Sequence, residues 1–295
     1  MKRLLVTGAS GFLGWNICDT AKRHWDVFGT ALTNQVDYAG VKIIYVDLRD
    51  YSALKRIFDQ IHPDAVIHTA AVTDLNYCQA HREETETINV DVSVNIAGLC
   101  SDYQIPCVFT STDIVFDGLT PPYCEKDPVC PVNFYGEQKV KAEEGMLERY
   151  PLVTICRMPL MFGISGTANE SFIQQMLQSI KEDREIKLFT DEFRTPISGI
   201  AAVQGIFLAL SSMKGIIHLG GIERVSRYDF ALLLLEILGI QTPCLSPCKQ
   251  KDMKMLAPRP PDVSLDSSKA RALGFKPLLL EEELKGLRDG ILKNA

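Results

Sequence analysis

Short apolar runs alternate with amphipathic segments along the first two thirds of the chain. The runs, such as Ala65-Val66-Ile67, predict strands at 3–7, 26–30, 41–45, 65–69, 107–110 and 153–157. Between them, apolar residues recur at helical spacing and predict helices over 51–60 and 84–101. Strands that alternate with helices fold as a parallel sheet covered by helices on both faces. We therefore expect an α/β, doubly wound fold.

After about residue 163 this rhythm changes. The pattern predicts helices over 171–181, 200–212 and 228–238, short strands near 186–188 and 216–219, a proline-rich loop over 243–261 and two short final helices. The predicted division is a larger domain of residues 1–165 plus about 195–222, and a smaller C-terminal α/β lobe of about 166–194 and 223–295. No internal repeat or low-complexity linker separates the two parts.

Composition narrows the classes of function. The 295 residues carry a net charge of −6, whereas binding to nucleic acids or anionic membranes needs a basic surface. Nine cysteines without a paired framework predict free thiols in a reducing compartment, and their spacing predicts no metal site. No apolar stretch has the length of a signal peptide core or a membrane span, so we expect a cytoplasmic protein.

A glycine-rich loop follows the first predicted strand directly and opens a helix. Gly8 allows the sharp turn, Gly11 removes a Cβ where a pyrophosphate must approach, and Gly14 allows close packing of helix and strand. The helix N-terminus offers N–H groups and a positive dipole end to phosphates. This context predicts a Rossmann-type dinucleotide site in the larger domain, which makes the smaller lobe the candidate substrate-binding part.

The sequence does not decide between NADP and NAD. An NAD site usually places an acid at the end of the second strand, but residues 28–34 hold neither an acid nor an arginine for a 2′-phosphate. Asp47, at the end of the third strand, is placed to accept a hydrogen bond from the adenine amino group. A helix-capping role is the alternative for Asp47.

A Tyr-x-x-x-Lys pattern, which places a phenol and an ammonium one helical turn apart, occurs three times. We expect the cation to lower the pKa of the phenol, so that it can transfer a proton. Two pairs, Tyr38/Lys42 and Tyr51/Lys55, lie in a glycine-containing connection and on a crossover helix. Only Tyr135/Lys139 follows a strand that ends in hydroxyl residues, where ligands of open α/β sheets bind. Position therefore favours Tyr135/Lys139.

At these residues the chain resembles the extended short-chain dehydrogenases, and among them the dTDP-4-dehydrorhamnose reductases. The resemblance covers nearly the whole chain and rests on the glycine loop, on Val66-Ile67-His68-Thr69-Ala70-Ala71, on Ile88-Asn89-Val90, on Ser111-Thr112-Asp113-Ile114-Val115-Phe116-Asp117-Gly118, on Tyr135-Gly136-Glu137-Gln138-Lys139, and on Arg259-Pro260 with Leu265-Asp266.

The resemblance implies that Thr112 carries the catalytic hydroxyl, that Tyr135 is the acid/base and that Lys139 orients the nicotinamide ribose. It places Ala70 and Ala71 along the cofactor and Pro159 near the nicotinamide. The remaining residues of the expected cofactor site are Ser10, Phe12, Leu13, Thr30, Leu48, Val72, Asn89 and Thr110. A homodimer is compatible with it.

Four residues depart from the rhamnose reductases at positions expected to face the sugar. Ile114 replaces an aromatic residue, Leu160 a tryptophan, and Asn76 and Gln79 an aspartate and a glutamate. The stretch from Arg157 through Gly163 resembles the regulatory β subunit of methionine adenosyltransferase instead. These departures leave the identity of the sugar open.

Arg194 and Arg259 lie in loops of the second lobe, where planar guanidinium groups can clamp a diphosphate. With Asp113 they complete the expected substrate site. The sequence favours an NAD(P)H-dependent reductase of a nucleotide-linked 4-keto sugar. The alternatives are a sugar-nucleotide epimerase or dehydratase, which the single acid after Thr112 disfavours, and a non-catalytic dinucleotide-binding regulatory subunit. His68 and His218, inside apolar strands, are expected to be structural.

Overall fold

The structure is a computed structural model that describes residues 1–33, 36, 38–166, 171–241 and 244–294. In chain order its strands are β1 Arg3–Thr7, β2 Asp26–Ala31, β3 Val41–Tyr45, β4 Ala65–His68, β5 Cys107–Thr112, β6 Thr154–Met158, β7 Met161–Phe162, β8 Ile186–Phe189, β9 Phe193–Arg194, β10 Ile197–Ser198, β11 Gly215–His218, β12 Val225–Ser226 and β13 Leu245–Cys248.

The helices surround these strands. They are α1 Phe12–Ala21, α2 Tyr51–Ile61, α3 Leu75–Ala80, α4 Arg82–Glu86, α5 Val92–Asp102, α6 Phe134–Arg149, α7 Phe172–Lys181, α8 Gly199–Ser212, α9 Arg227–Leu238, α10 Ser268–Ala272 and α11 Leu280–Asn294, with a π-helical turn at Thr87–Asp91 and 3₁₀ turns at Asp113–Val115 and Gln250–Asp252. None of the helices within the described ranges has the length and apolarity to cross a membrane.

Seven strands form one parallel sheet in the order β11-β6-β5-β4-β1-β2-β3. Helices cover both faces of this sheet through apolar contacts. One face packs against α1 and α8, and the other against α2, α5 and α6. The strands consequently read as continuous apolar runs. The doubly wound α/β fold expected from the sequence is confirmed.

A second core lies outside the large sheet. Helices α7, α9 and α11 enclose it, with Phe162, Leu234 and Leu284 fully buried at its centre. Three two-stranded sheets, β10-β7, β12-β9 and β13-β8, adjoin this part of the chain. Because β11 belongs to the large sheet, residues after 195 return to it before the chain enters α9. The division into two parts stays a prediction.

The structure refines one local prediction and corrects another. The helix expected over 84–101 is interrupted by the π-helical turn at Thr87–Asp91, where the side chain of Asn89 is drawn toward Val72 and Gln138. The proline-rich loop contains β13, which pairs with β8 despite Pro247. A parallel edge strand tolerates proline, so composition alone hid this strand. Position 243, where that loop was expected to begin, lies outside the described residues.

Candidate active site

The glycine loop between β1 and α1 is shaped by three backbone requirements. Gly8 has φ of +72°, and a Cβ there would lie 2.8 Å from the backbone of Ala70. A Cβ on Gly14 would lie 2.1 Å from the Gly8 carbonyl oxygen, whereas one on Gly11 would meet that oxygen only at 3.3 Å. Gly14 is therefore needed for packing, and Gly11 leaves the loop open toward a ligand.

A cavity of about 260 Å³ adjoins this loop. It is bounded by the carboxyl ends of β1 to β4 and by the helix that follows, through Gly8, Ser10, Gly11, Thr30, Ala31, Leu32, Val46, Asp47, Leu48, Arg49, Thr69, Ala70, Ala71, Val72, Ile88 and Val92. No side chain caps α1 at Gly11, so its first-turn N–H groups face the loop. These residues fit the pyrophosphate and adenosine of a dinucleotide.

Nine of the predicted cofactor residues line this cavity: Gly8, Ser10, Gly11, Thr30, Asp47, Leu48, Ala70, Ala71 and Val72. Others lie behind it. Leu13 and Gly14 are buried in α1, and the carboxamide of Asn89 bonds to both backbone groups of Val72 and to Gln138 Oε1 at 2.8 Å. Asn89 thus supports the cavity wall and links it to α6. Sequence reasoning missed Arg49, although it stands two residues after Asp47.

Cap geometry on α6 sets the position of the Tyr135/Lys139 pair. The side chain of Asn133 accepts from the N–H of Gly136 at 2.9 Å and donates to the Pro258 carbonyl at 3.0 Å, so the helix begins at a fixed point. Tyr135 then packs against Ile114, just after β5, and Lys139 donates to the Thr110 carbonyl at 2.8 Å. Both side chains are buried.

Thr112 is the last residue of β5, so its hydroxyl lies on the same strand end. It donates to Asp113 Oδ1 and accepts from the N–H of Ile114, both at 3.2 Å. Hydroxyl, phenol and ammonium are therefore gathered around the carboxyl end of β5. Pro159 is buried directly after the neighbouring strand β6, and Phe12 is half-buried at the start of α1.

The other two Tyr-x-x-x-Lys pairs lie elsewhere. The Tyr38 hydroxyl donates to the Ala9 carbonyl at 2.9 Å, and Lys42 forms an exposed ion pair with Asp26. On α2, Lys55 pairs with Asp59 at the surface.

The expected lowering of the phenol pKa is wrong. Burial raises the pKa of Tyr135, and the charge of Asp113 adds to the effect. The ammonium of Lys139 is directed at the Thr110 carbonyl, and burial lowers its own pKa to about 7. Tyr135 is thus held in its neutral form, which is the proton-donating form.

Beside Thr112 lies a buried cluster of charged side chains. Arg194 Nη1 contacts Asp113 Oδ1 at 2.6 Å, and Glu192 Oε1 contacts Arg194 Nη2 at 3.4 Å and Arg227 Nε at 3.2 Å. Burial opposes the ionisation of Glu192, but Arg194, Arg227 and Arg259 hold its pKa below the usual value. Glu192 and Arg227 were not anticipated, because the sequence separates them widely from Asp113.

Several atoms of this cluster have no partner among the described residues: Asp113 Oδ2, Glu192 Oε2, Arg194 Nε and Arg259 Nε. Buried polar atoms are usually hydrogen-bonded, so these atoms mark a place where a polar ligand could bind. Arg194 itself is only 4% exposed and is engaged by two carboxylates, whereas Arg259 is half-buried.

Asn76 and Gln79, two of the four residues expected to face the sugar, instead accept hydrogen bonds from the backbone of other segments. Asn76 Oδ1 accepts from the N–H of Ala257 at 3.1 Å, and Gln79 Oε1 accepts from the N–H of Phe134 at 3.2 Å. Ile114 is buried against Tyr135, and Leu160 is half-buried. Ile114 is therefore the departure that packs directly against a candidate catalytic residue.

Comparisons with known proteins identify relatives that span most of the chain. The chain is 27% identical over 287 residues to the probable low-salt glycan biosynthesis reductase Agl14 of Haloferax volcanii, covering 96% of each. It is 26% identical over 282 residues to methionine adenosyltransferase 2 subunit beta of Danio rerio, covering 93% of this chain and 85% of that protein.

The fold matches the crystal structure of dTDP-4-dehydrorhamnose reductase from Bacillus anthracis in complex with NADP. The TM-score is 0.88 at 23% identity, over 98% of this chain and 100% of the other. Residues 1–290 match the family described as RmlD substrate binding domain. The resemblance inferred from the motifs is confirmed, and the chain belongs to the RmlD substrate binding domain family.

Proposed function

We propose that this chain is an NAD(P)H-dependent reductase of a nucleotide-linked 4-keto sugar. The observation that carries the proposal is the meeting of Thr112, Tyr135 and Lys139 at the end of β5, next to a cavity that fits a dinucleotide. A bound reduced nicotinamide would supply the hydride to the carbonyl carbon. The protein must then protonate and stabilise the developing alkoxide.

Tyr135 suits the role of proton donor because burial keeps its phenol neutral. Thr112 donates to Asp113 in this structure, and rotation of its hydroxyl hydrogen would direct the same group at the substrate oxygen. Lys139, one turn farther along α6, is positioned to hold the ribose hydroxyls and to favour the phenolate left after proton transfer.

The charged cluster supports an anionic substrate. Three arginines, Arg194, Arg227 and Arg259, face two carboxyl groups, Asp113 and Glu192, and burial raises the pKa of Asp113, so positive charge is in excess in the cluster. The unpartnered Nε of Arg259 is available to a diphosphate oxygen, and the unpartnered Oδ2 of Asp113 to a sugar hydroxyl. Ile114 and Leu160, which depart from the rhamnose reductases, favour a different 4-keto sugar.

A second candidate function is a regulatory subunit that binds the dinucleotide without turnover. The similarity to methionine adenosyltransferase 2 subunit beta favours it. An intact set of hydroxyl, phenol and ammonium speaks for catalysis, because a purely structural cofactor site does not need a proton donor. A dehydratase or epimerase would regenerate its cofactor and show no net oxidation.

The test is single-turnover oxidation of NADPH and NADH on mixing with a panel of 4-keto sugar nucleotides. We expect Tyr135→Phe to lower the rate by a factor on the order of 10² to 10⁴ while cofactor affinity stays within about twofold. Tyr51→Phe, at an exposed position on α2, is the matched control and should be silent. Wild-type protein that oxidises no cofactor, or Tyr135→Phe with full activity, would defeat the proposal.

A further inference from the structure

Arg49 is the one cation among the described residues that line the cavity. Among the described residues that line the cavity, Asp47 and Arg49 are the two with ionisable charge. The end of β2 contributes Thr30, Ala31 and Leu32, none of which is charged. The adenosine half of a dinucleotide in this fold lies across the ends of β2 and β3, so its ribose would face these residues.

Arg49 is held in place by Asp47. Its Nε donates to Asp47 Oδ1 at 3.0 Å and its Nη2 to Asp47 Oδ2 at 2.7 Å, while the Arg49 backbone N–H also donates to Asp47 Oδ1. These hydrogen bonds from Arg49 lower the pKa of Asp47, so the pair stays charged. These two parallel hydrogen bonds use one edge of the guanidinium group. The N–H groups of its other edge remain available to a ligand.

We propose that Arg49 binds the 2′-phosphate of the cofactor and that the chain therefore prefers NADP(H) to NAD(H). The inference rests on the proposed dinucleotide site. An NAD site places a carboxylate at the ribose hydroxyls, where it would repel a phosphate. Here Asp47, the acid among the described residues that line the cavity, is neutralised by Arg49. The charge of Glu84 also raises the pKa of Arg49, but Glu84 lies on α4 and does not line the cavity.

Calorimetric titration of the substrate-free protein with NADP⁺ and with NAD⁺ tests this directly. We expect wild-type protein to bind NADP⁺ at least about tenfold more tightly than NAD⁺. Arg49→Gln should weaken NADP⁺ binding by about 10- to 100-fold, or about 1.4 to 2.8 kcal/mol, because charge-assisted hydrogen bonds are lost, and should leave NAD⁺ affinity within about twofold. Arg49→Gln should likewise weaken the binding of adenosine 2′,5′-bisphosphate but not that of 5′-AMP, which lacks the 2′-phosphate.

Arg56→Gln is the matched control, because Arg56 is exposed on α2 and does not line the cavity. Arg49→Lys should keep part of the preference for NADP⁺, because lysine supplies the positive charge but cannot form two parallel hydrogen bonds. Equal affinity of wild-type protein for both dinucleotides, or an equal loss of both in Arg49→Gln, would overturn the role of Arg49. If neither dinucleotide binds, the proposed function is overturned instead, so the two failures are distinguishable.

Discussion

The ammonium of Lys139 lies 3.9 Å from the centroid of the Phe109 ring. Phe109 belongs to β5 and Lys139 to α6, so this contact joins the strand and the helix that form the candidate active site. An aromatic face attracts a cation, and the Thr110 carbonyl accepts a hydrogen bond from the same ammonium. Lys139 is therefore positioned before any ligand binds.

The first prediction distinguishes Lys139 from the other lysines of the Tyr-x-x-x-Lys pattern. Lys139→Met should lower kcat/KM by a factor on the order of 10², because the ribose loses its anchor and the reacting atoms lose their alignment. Lys42→Met and Lys55→Met remove exposed ion pairs with Asp26 and Asp59, and should change activity little. Steady-state cofactor oxidation measures all three. Similar losses at the three positions would show that the site is misplaced.

The second prediction concerns pH. Burial lowers the pKa of Lys139 from 10.5 to about 7, with the charge of Glu143 opposing this effect. The charged form that bonds to the ribose is therefore present below pH 7 and is lost as pH rises through that value. We expect kcat/KM, which reports on the free enzyme, to fall with one ionisation above about pH 7. A profile that stays flat to pH 9 contradicts this.

The third prediction distinguishes the roles of Gly11 and Gly14 in the glycine loop. Gly11→Ala meets only the Gly8 carbonyl oxygen at 3.3 Å, so the fold should persist while the methyl group weakens dinucleotide binding. Gly14→Ala would place a methyl group 2.1 Å from that oxygen and should destabilise the protein itself. Thermal unfolding and cofactor titration on both variants check this. An unchanged midpoint for Gly14→Ala, or unchanged affinity for Gly11→Ala, would contradict it.

The fourth prediction concerns His68, which is fully buried between Thr7 and Ser93. The Thr7 hydroxyl lies 2.6 Å from Nδ1 and the Ser93 hydroxyl 3.0 Å from Nε2, while Thr7 Oγ1 accepts from the N–H of Thr69. We assign the neutral tautomer with hydrogen on Nε2, because Ser93 in turn donates to the Asn89 carbonyl. Burial lowers the pKa of His68 from 6.5 to about 3.

Unfolding therefore takes up a proton between these two pH values, so stability is full above pH 6.5 and falls as pH drops toward 3. The slope is about 1.4 kcal/mol per pH unit for His68, and His218, also buried with a pKa of about 3, adds a similar one. Urea unfolding at pH 7.5 and 4.5 should show His68→Gln to be less pH-dependent than wild-type protein. The exposed His24→Gln is the control, and an equal slope in all three proteins would contradict the prediction.

The sequence by itself determined the local architecture of the sheet and the cofactor loop. Strand and helix periodicity, and a glycine triplet between β1 and α1, are short-range patterns whose geometry follows from backbone sterics. The choice of Tyr135/Lys139 also followed from chain order, since only that pair comes after a strand ending in Thr110-Ser111-Thr112. The resemblance supplied the role of each residue.

Only the tertiary structure decided which charges meet. Asp113 follows β5, Glu192 and Arg194 lie at β9, and Arg227 begins α9; the fold buries them in one place and makes a cluster that spacing along the chain does not reveal. The pKa of Tyr135 was predicted in the wrong direction for the same reason: desolvation depends on what surrounds the phenol in space, while the sequence shows only the lysine one turn away. Arg49 likewise acquired significance once β3 brought it to the cavity beside the uncharged end of β2.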